Sequence, residues 1–308
     1  MQTSKLLLGV QKNISLKNYT TFRIGGSANY FFIAKTKKDI MEAIKMAKQL
    51  NLLFFVLGSG SNLLVSDEGF DGLVIKIKNQ KLKNPCLPAG KKNQKSKIID
   101  AEAGVFLNQI VILALKNNLS GLEWAAGIPG TVGGAIYGNA GAFGKSIGDS
   151  IEEVEIFDTK DLEIKTFKNK DCKFGYRDSI FKNKKNLIIL SVILQLKKGN
   201  EKVIQEKMKK YLEHRRETQP LNYPSAGSIF KNPKGLFTAE FIEKCGLKDK
   251  RIGDVKISEK HANFIINLGQ GKANDVIKLI KLIKKRVKEK FDIVLQEEIQ
   301  FLGFKTKD

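Results

Sequence analysis

Three polar residues lie in sequence contexts that suit chemistry. Arg177 lies in Gly-Tyr-Arg-Asp-Ser between apolar stretches, and Ser228 lies in Ser-Ala-Gly-Ser-Ile-Phe-Lys-Asn-Pro. Glu298 occupies the polar face of an alternating C-terminal segment. Each residue alone is consistent with a solvated or capping role. A cation, a hydroxyl and a carboxylate acting together can serve one proton-transfer step.

A loop of small residues, Gly58-Ser59-Gly60-Ser61-Asn62, follows a predicted buried strand. Small residues let successive backbone N–H groups point into one concavity, which can hold a phosphate or pyrophosphate without a lysine. The loop does not match the dinucleotide-binding pattern G-x-G-x-x-G, because Leu63 occupies the third glycine position. A tight turn without a ligand is the alternative interpretation.

A second glycine-rich segment, residues 125–144, contains seven glycines and no charged residue. Such a segment commonly serves to bring backbone close to a partner. Gly138 to Gly144 resembles a P-loop, but five residues separate these glycines where that motif has four. Together the two glycine-rich segments favour one long ligand whose diphosphate is held by backbone from two places.

The composition is strongly basic. Among 308 residues, 54 basic and 32 acidic side chains give a formal charge of +22. This excess attracts anions, including phosphates, nucleotides and nucleic acid, although a lysine-rich solvated surface also accounts for it. The lysines of the last long predicted helix have no aromatic side chains among them, which disfavours nucleic-acid binding.

Residue spacing excludes several other classes of protein. The chain has three widely separated cysteines, Cys86, Cys172 and Cys245. They form no CxxC pair and no disulfide framework, which fits a reducing cytoplasm. His214 and His261 have no accompanying ligand cluster, so we expect no metal site. Apolar runs such as residues 52–57 are too short to cross a membrane, and residues 6–8 are too short for a signal peptide. We expect a soluble, untargeted, cytoplasmic protein.

Hydrophobic periodicity predicts an α+β organisation with two boundaries. The polar stretch 78–97 is predicted to be a surface linker or insertion, and the proline-containing loop 217–228 ends a basic helix. Strands are predicted at 52–57, 73–77, 98–103, 151–158, 163–167, 187–196 and 263–268, and helices at 37–50, 105–118, 200–216, 237–245 and 274–290.

The C-terminal segment 292–301 predicts one more strand. Ile293, Leu295, Ile299 and Phe301 alternate with Val294, Gln296, Glu298 and Gln300. This alternation predicts that the Glu298 carboxyl faces a cleft while Ile299 points into the core.

These segments resemble the UDP-N-acetylenolpyruvoylglucosamine reductase family, the flavoenzymes that complete UDP-N-acetylmuramate for peptidoglycan. The resemblance spans residues 20–303, with its motifs in the family's order. The matching segments are residues 21–26 (TFRIGG), 57–65 (LGSGSNLLV), 121–135 (GLEWAAGIPGTVGGA), 176–179 (YRDS), 226–233 (AGSIFKNP) and 298–301 (EIQF).

The resemblance implies an α+β fold with an FAD-binding unit of the vanillyl-alcohol-oxidase (PCMH) type in two subdomains, plus a C-terminal α+β substrate domain. The implied division is residues 1–78 with 292–308, then 79–198, then a linker helix and substrate-binding domain at 199–291. The final strand is expected to return to the first subdomain. The short stretch between Arg177 and Leu187 has no room for an extra substrate-capping loop, which indicates the shorter subtype.

The resemblance also implies the chemistry. NADPH reduces non-covalently bound FAD, and a hydride then passes to the vinyl carbon of the enolpyruvyl ether of the UDP-sugar substrate. Arg177 and Glu298 would stabilise the enolate-like intermediate, and Ser228 would donate the proton. Glu298 can help an anion only if it is protonated or acts by hydrogen bonding, so we expect its pKa to be raised.

The family positions imply the remaining site residues. The residues implied to bind the cofactor are Gly58, Ser59, Gly60, Ser61, Asn62, Gly127, Thr131, Gly133 and Gly134. Substrate binding falls to Tyr176, Lys231 and Asn232, with no metal. The expected partners are the UDP-sugar and NADPH, with no nucleic acid and no membrane, and the expected state is a monomer.

Two positions depart from the family pattern. Ser27 replaces a common proline, and Gln300 replaces a common basic residue, which puts one contact to the charged end of the substrate in doubt. Two other classes remain open. A flavin oxidase on the same FAD-binding unit would use oxygen, and a basic nucleic-acid-binding protein would be colourless with steeply salt-dependent binding.

Overall fold

The computed structural model describes residues 8–86 and 96–304. Apart from the gap at 87–95, these residues form two compact units. Unit 1 comprises residues 8–10, 32–58 and 75–215, and unit 2 comprises residues 11–31, 59–74 and 216–304. Within the described ranges, no helix is both long and apolar enough to cross a membrane. The division into three subdomains stays a prediction.

Helices and strands are numbered here in chain order. The helices are α1 (Lys37–Gln49), α2 (Leu107–Lys116), α3 (Val132–Tyr137), α4 (Ile180–Asn183), α5 (Glu201–Thr218), α6 (Thr238–Lys244) and α7 (Ala273–Phe291). The strands are β1 (Gln11–Ser15), β2 (Ser27–Ala34), β3 (Phe54–Leu57), β4 (Leu63–Val65), β5 (Phe70–Ile77), β6 (Ser96–Glu102), β7 (Leu119–Ser120), β8 (Gly141–Ala142), β9 (Lys145–Ser146), β10 (Ile151–Asp158), β11 (Glu163–Lys168), β12 (Leu187–Lys198), β13 (Ser225–Ser228), β14 (Arg251–Ile252), β15 (Val255–Ile257), β16 (Phe264–Asn267) and β17 (Gln300–Leu302).

Unit 1 is built on an antiparallel sheet in the order β11-β10-β12-β6, with β7 pairing along β12. β12 is buried along most of its length, as its apolar run LIILSVIL predicts. The apolar face of α2 packs into the same core through Leu107, Ile110, Val111 and Ala114. The strands predicted at 151–158, 163–167 and 187–196 are confirmed. In this unit the end of β5 also lies between β2 and β3.

Unit 2 contains an antiparallel sheet in the order β13-β16-β15-β14 and a parallel pair, β17 with β4. The helix α7 buries Val276, Leu279, Ile280, Ile283 and Val287 against this core. These positions recur every three or four residues, so one stripe of the helix is apolar and its lysines face away. The helix predicted at 274–290 is confirmed within one residue at each end.

The strand predicted at 292–301 is wrong. Regular strand structure is restricted to Gln300–Leu302, because Asp292 ends α7 in a left-handed conformation (φ 59°) and the following residues stay irregular. Phe301 is 40% exposed although the alternation placed it in the core. Separate main-chain hydrogen bonds hold this segment instead: the Gln296 carbonyl accepts from Lys231, and the Glu298 amide donates to Ile229.

The predicted surface linker at 78–97 also needs correction, although residues 87–95 lie outside the described residues. Asn79 is fully buried, and its side chain accepts a hydrogen bond from the Gly104 amide (3.1 Å) and donates to the Leu190 carbonyl (3.3 Å). Leu82 and Cys86 form isolated bridges to β6. The described part of this stretch is therefore integrated into unit 1 by backbone pairing that its polar side chains do not reveal.

A distant carboxylate caps α7, which gives a test of the fold of unit 2. Lys272 occupies the N-cap position without a side-chain hydrogen bond. Asp67 instead accepts hydrogen bonds from the amides of Ala273 (2.7 Å) and Asn274 (3.0 Å). This carboxylate satisfies two N–H groups that the helix itself cannot pair.

We expect Asp67→Ala to lower the free energy of unfolding by about 1 kcal/mol, the usual effect of losing an N-cap. The measurement is the midpoint of urea unfolding. Glu68→Ala is the matched control, since this neighbouring carboxylate makes no hydrogen bond or ion pair within the described ranges. Equal midpoints for the two variants would contradict the capping role.

Candidate active site

Gly58, the first residue of the small-residue loop, contacts the second glycine-rich segment within unit 1. A Cβ at Gly58 would lie 2.5 Å from Oγ1 of Thr131, closer than two such atoms can approach. Thr131 is the N-cap of α3, and its hydroxyl accepts a hydrogen bond from the Gly134 amide at 3.4 Å. Gly58 therefore lies directly against the N-cap of α3. The expectation that one ligand meets both glycine-rich segments stays a prediction.

The rest of the loop is shaped in unit 2. Gly60 has φ +67°, and a side chain there would collide with the Tyr19 carbonyl. Its own carbonyl accepts a hydrogen bond from the Thr21 amide at 3.3 Å. The Ser59 and Ser61 hydroxyls lie 3.2 Å apart, within hydrogen-bonding distance. Only glycine suits position 60, because the left-handed conformation strains other residues and the space is filled.

The amides of this loop remain available to a ligand. Across residues 8–86 and 96–304, the N–H groups of Ser59, Gly60, Ser61 and Asn62 donate no hydrogen bond to the protein. All four residues are half-buried. Half-buried amides without a protein acceptor are costly unless water or a ligand pairs them. A run of such donors fits a diphosphate. A role of these residues in binding FAD stays a prediction.

The other glycines assigned by resemblance have packing contacts of their own. The Gly133 amide donates to the Ala103 carbonyl at 2.9 Å, and a Cβ at Gly133 would lie 2.9 Å from that of Ala103. Gly127 has φ +76° and faces Leu212 of α5. Both glycines are thus needed for close packing in unit 1. A role for them in cofactor binding stays a prediction.

Arg177 lies at a tight turn in unit 1. Gly175 and Asp178 exchange backbone hydrogen bonds of 3.0 and 3.2 Å across it, and Arg177 adopts φ 52°. The Asn139 side chain donates to the Gly175 carbonyl at 2.7 Å. The Arg177 guanidinium lies 5.4 Å from the ring centroid of Tyr176. A left-handed conformation at a non-glycine residue costs free energy, so the turn holds Arg177 against its local preference.

Arg215 is a second cation near Arg177 that the sequence analysis missed. It is 8% exposed and donates to the carbonyls of Ala126 (3.0 Å) and Trp124 (3.2 Å). Burial lowers the pKa of Arg215, and the charge of Arg177 acts in the same direction. In the described part of the chain, no carboxylate lies within ion-pair distance of Arg215.

A signal for Arg215 was present in the sequence. Ile204, Met208, Leu212 and Arg215 recur at helical spacing; Ile204 is buried, and Met208 and Leu212 pack against the core of unit 1. Arg215 therefore continues an apolar stripe, which a solvated arginine would not do. A basic helix conceals this pattern because charged residues dominate its other faces.

Ser228 ends β13 in unit 2. The pairing of β13 with β16 shifts register between Ser225 and Ser228, and Gly227 adopts φ +77° with open space where a Cβ would stand. Ser228 is half-buried. Such a bulge turns a side chain out of the regular strand alternation.

Lys231 and Asn232, which are expected from the family to bind the substrate, follow Ser228 closely in the sequence. The Lys231 amide donates to the Gln296 carbonyl at 2.9 Å. The Asn232 side chain accepts from the Thr238 amide at 3.1 Å, and the Thr238 hydroxyl donates to the Lys231 carbonyl at 2.7 Å. The start of α6 thus holds both residues in place.

Glu298 is fixed through its main chain. Its amide donates to the Ile229 carbonyl at 2.8 Å, and its carbonyl accepts from the Asn62 side chain at 3.1 Å. Ile229 is adjacent to Ser228, and Asn62 ends the small-residue loop. In unit 2 the chain therefore brings together the segments of Ser228, Glu298 and the loop. Thr131, Tyr176 and Arg177 belong to unit 1.

Within the residues that the structure describes, the histidine, cysteine, aspartate and glutamate side chains form no group of three or more suited to a metal ion. The expectation that the protein has no metal site stays a prediction. Cys86, Cys172 and Cys245 are free thiols, and burial raises the pKa of Cys172 to about 12. A buried thiol with a raised pKa is a poor nucleophile at neutral pH.

Comparisons with known proteins agree with this geometry. Residues 28–167 match the FAD binding domain family, and residues 219–302 match the C-terminal domain of UDP-N-acetylenolpyruvoylglucosamine reductase. The reductase of Caldicellulosiruptor saccharolyticus is 43% identical over 97% of this chain and 94% of its own length. That of Caldanaerobacter subterraneus is 43% identical over 95% and 93%.

A solved structure extends the comparison to the fold. The crystal structure of UDP-N-acetylenolpyruvylglucosamine reductase from Thermus caldophilus superimposes with a TM-score of 0.77 at 34% identity, over 96% of this chain and 99% of that one. The α+β fold with an FAD-binding region followed by a reductase C-terminal domain is therefore confirmed. The chain belongs to the UDP-N-acetylenolpyruvoylglucosamine reductase family of FAD-dependent oxidoreductases.

Proposed function

We propose that this chain reduces the enolpyruvyl ether of UDP-N-acetylglucosamine-enolpyruvate to UDP-N-acetylmuramate, with NADPH as the hydride source and one non-covalent FAD. The observation that carries the proposal is the contact of Gly58 with Thr131 beside a run of amides without protein acceptors. These donors support a diphosphate-bearing cofactor. The family identity supplies the substrate class.

The residues that would hold FAD are Gly58, Ser59, Gly60, Ser61, Asn62, Gly127, Thr131, Gly133 and Gly134. The amides of residues 59–62 would pair the diphosphate. When bound, FAD supplies hydride transfer from NADPH to the vinyl carbon of the substrate. This transfer creates negative charge beside the substrate carboxylate, and the protein must stabilise and then quench it.

The protein's own side chains would stabilise the developing negative charge and supply the proton. Arg177 and Glu298 would polarise the substrate carboxylate, and Ser228 would donate the proton that completes reduction. Serine is a weak acid, but a carbanion is a strong base, so the transfer is favourable. The main-chain bonds around Glu298 support a fixed geometry, and fixed donors are worth more than mobile ones when charge develops. Tyr176, Lys231 and Asn232 would bind the substrate.

We expect FAD to be bound without a covalent bond, because neither glycine-rich segment contains a histidine or cysteine that could attach it. Acid denaturation of the yellow protein should release all flavin into the supernatant, as measured by its absorbance. Colour that stays with the precipitate would contradict this expectation.

We expect Ser228→Ala to separate the two half-reactions. Proton donation belongs only to the second, so NADPH should still reduce the flavin at a near-normal rate while turnover falls by roughly 10² or more. Stopped-flow absorbance measures the first half-reaction, and product formation measures turnover. Ser225→Ala, the same change three residues earlier on β13, is the control and should stay near wild type. Equal losses in both half-reactions would make Ser228 a binding or structural residue.

We expect Glu298→Gln to reduce the rate of substrate reduction by roughly 10² or more while the substrate Kd stays within several-fold of wild type. Glutamine keeps the size and can form hydrogen bonds, so the change removes only the charge and the titratable proton. FAD binding should be intact.

The matched control is Glu297→Gln. Glu297 forms an ion pair of 2.8 Å with Lys284, and its loss should leave the rate nearly unchanged. A Kd for Glu298→Gln raised in proportion to the lost rate would make Glu298 a ground-state binding residue.

A further inference from the structure

Lys76 interrupts the apolar run 73–77 at the end of a strand. It belongs to β5, where Leu73, Val74, Ile75 and Ile77 are buried. Its ammonium group donates a hydrogen bond to the carbonyl of Gly58, the first residue of the small-residue loop, within unit 1. Lysine seldom occupies a half-buried strand position without a partner for its charge.

The surroundings of Lys76 contain no compensating anion. In unit 1 the parts of β2 and β3 beside β5 are residues 32–34 and 54–57, and all of these are apolar. Within the described part of the chain, no carboxylate lies at ion-pair distance from Lys76. Burial lowers the pKa of Lys76 to about 8, and the charge of Lys78 acts in the same direction. A half-buried cation of this kind is stabilised by any anion placed near it.

The hydrogen bond from Lys76 to the Gly58 carbonyl also fixes the orientation of the peptide unit that joins Gly58 to Ser59. The Gly58 carbonyl and the Ser59 N–H belong to one trans peptide unit, so they point in opposite directions. When Lys76 holds the carbonyl on one side, the Ser59 N–H is presented on the other. Ser59 is the first of the four amides without a protein acceptor. Lys76 therefore controls the orientation of the first donor in the loop.

We propose that Lys76 is a positioning residue for the cofactor diphosphate, which aims the Ser59 amide by holding the Gly58 carbonyl and adds positive charge behind the loop. The inference rests on the proposed binding of FAD at residues 58–62. It also changes the sequence-based expectation that this loop holds an anion without a lysine. The lysine lies on a neighbouring strand and acts through the peptide.

The test is the Kd of FAD for apo-protein, measured by quenching of flavin fluorescence across neutral and alkaline pH. Lys76→Met removes the charge and the donor but keeps an unbranched stem. We expect it to weaken FAD binding by about 10- to 100-fold, the range for a hydrogen bond to a charged group. Lys76→Arg keeps both and should bind FAD nearly as well as wild type at neutral pH.

The pH profile separates positioning from mere packing. Diphosphate stabilises protonated Lys76, so wild-type affinity should fall as pH rises through about 8, the pKa of the free protein. In Lys76→Met and Lys76→Arg, FAD affinity should not decrease over this pH range, because neither methionine nor arginine titrates in it. The control Lys78→Met should retain the alkaline decrease in FAD affinity, with its midpoint at higher pH, since Lys78 lowers the pKa of Lys76.

Two results would overturn the inference. The first is a Lys76→Met protein that binds FAD within twofold of wild type. The second is a Lys76→Arg protein with an unchanged alkaline fall, which decides the matter even if the methionine variant does not fold. Failure of wild-type protein to bind FAD would instead overturn the proposed function, and this inference with it.

Discussion

Between Gly58 and Thr131 there is no room for a side chain, and the proposed chemistry depends on that contact. It joins the end of β3 to the N-cap of α3, so two backbone segments that are far apart in sequence lie together in unit 1. Glycine at 60 likewise allows a close approach to the Tyr19 carbonyl. Amides fixed in a fold need no reorganisation when an anion binds, which makes them effective donors. The formal charge of +22 adds a general attraction for the same class of ligand.

Unit 2 uses its main chain in a similar way. Glu298 is tied through its amide to Ile229 and through its carbonyl to Asn62, so the residue after Ser228 and the last residue of the loop hold one short segment. A carboxyl on such a segment has a fixed backbone even though the surrounding residues form no regular strand. Proton transfer requires placement within a hydrogen-bond length, and a fixed backbone favours the placement that the proposed roles of Ser228 and Glu298 need.

Local patterns in the sequence were enough to predict the five longest helices and several of the longer strands. The stripe of α7 and the apolar run of β12 each follow from one periodicity, and both appear where predicted. The motifs indicated a candidate site because glycine and small polar residues have few other reasons to cluster, and the roles of its residues stay predictions. The helix α3 was missed, since its glycines disfavour helix and only the N-cap Thr131 marks its start. The prediction for 292–301 was wrong for the opposite reason. Its residues alternate as in a strand, but the chain does not form a strand over most of this segment.

Contacts between distant residues were beyond the reach of those patterns. Asp67 caps a helix that begins 206 residues later, and no local signal connects the two. Arg215 and Lys76 lie on a helix stripe and a strand whose periodicity indicates burial, yet their charge suggested solvation. In both cases the type of residue conflicts with its position. Such a conflict is a useful sign of function in other sequences, because burying a cation is costly without a purpose.

The most direct test of the account is a single-turnover experiment without oxygen. Protein loaded with FAD is reduced by a stoichiometric amount of NADPH and then mixed with UDP-N-acetylglucosamine-enolpyruvate, while flavin absorbance is followed. The account predicts that the oxidised flavin spectrum returns before air is admitted and that an equal amount of UDP-N-acetylmuramate forms. A flavin that stays reduced with this substrate and is reoxidised only by air would contradict it and favour a flavin oxidase.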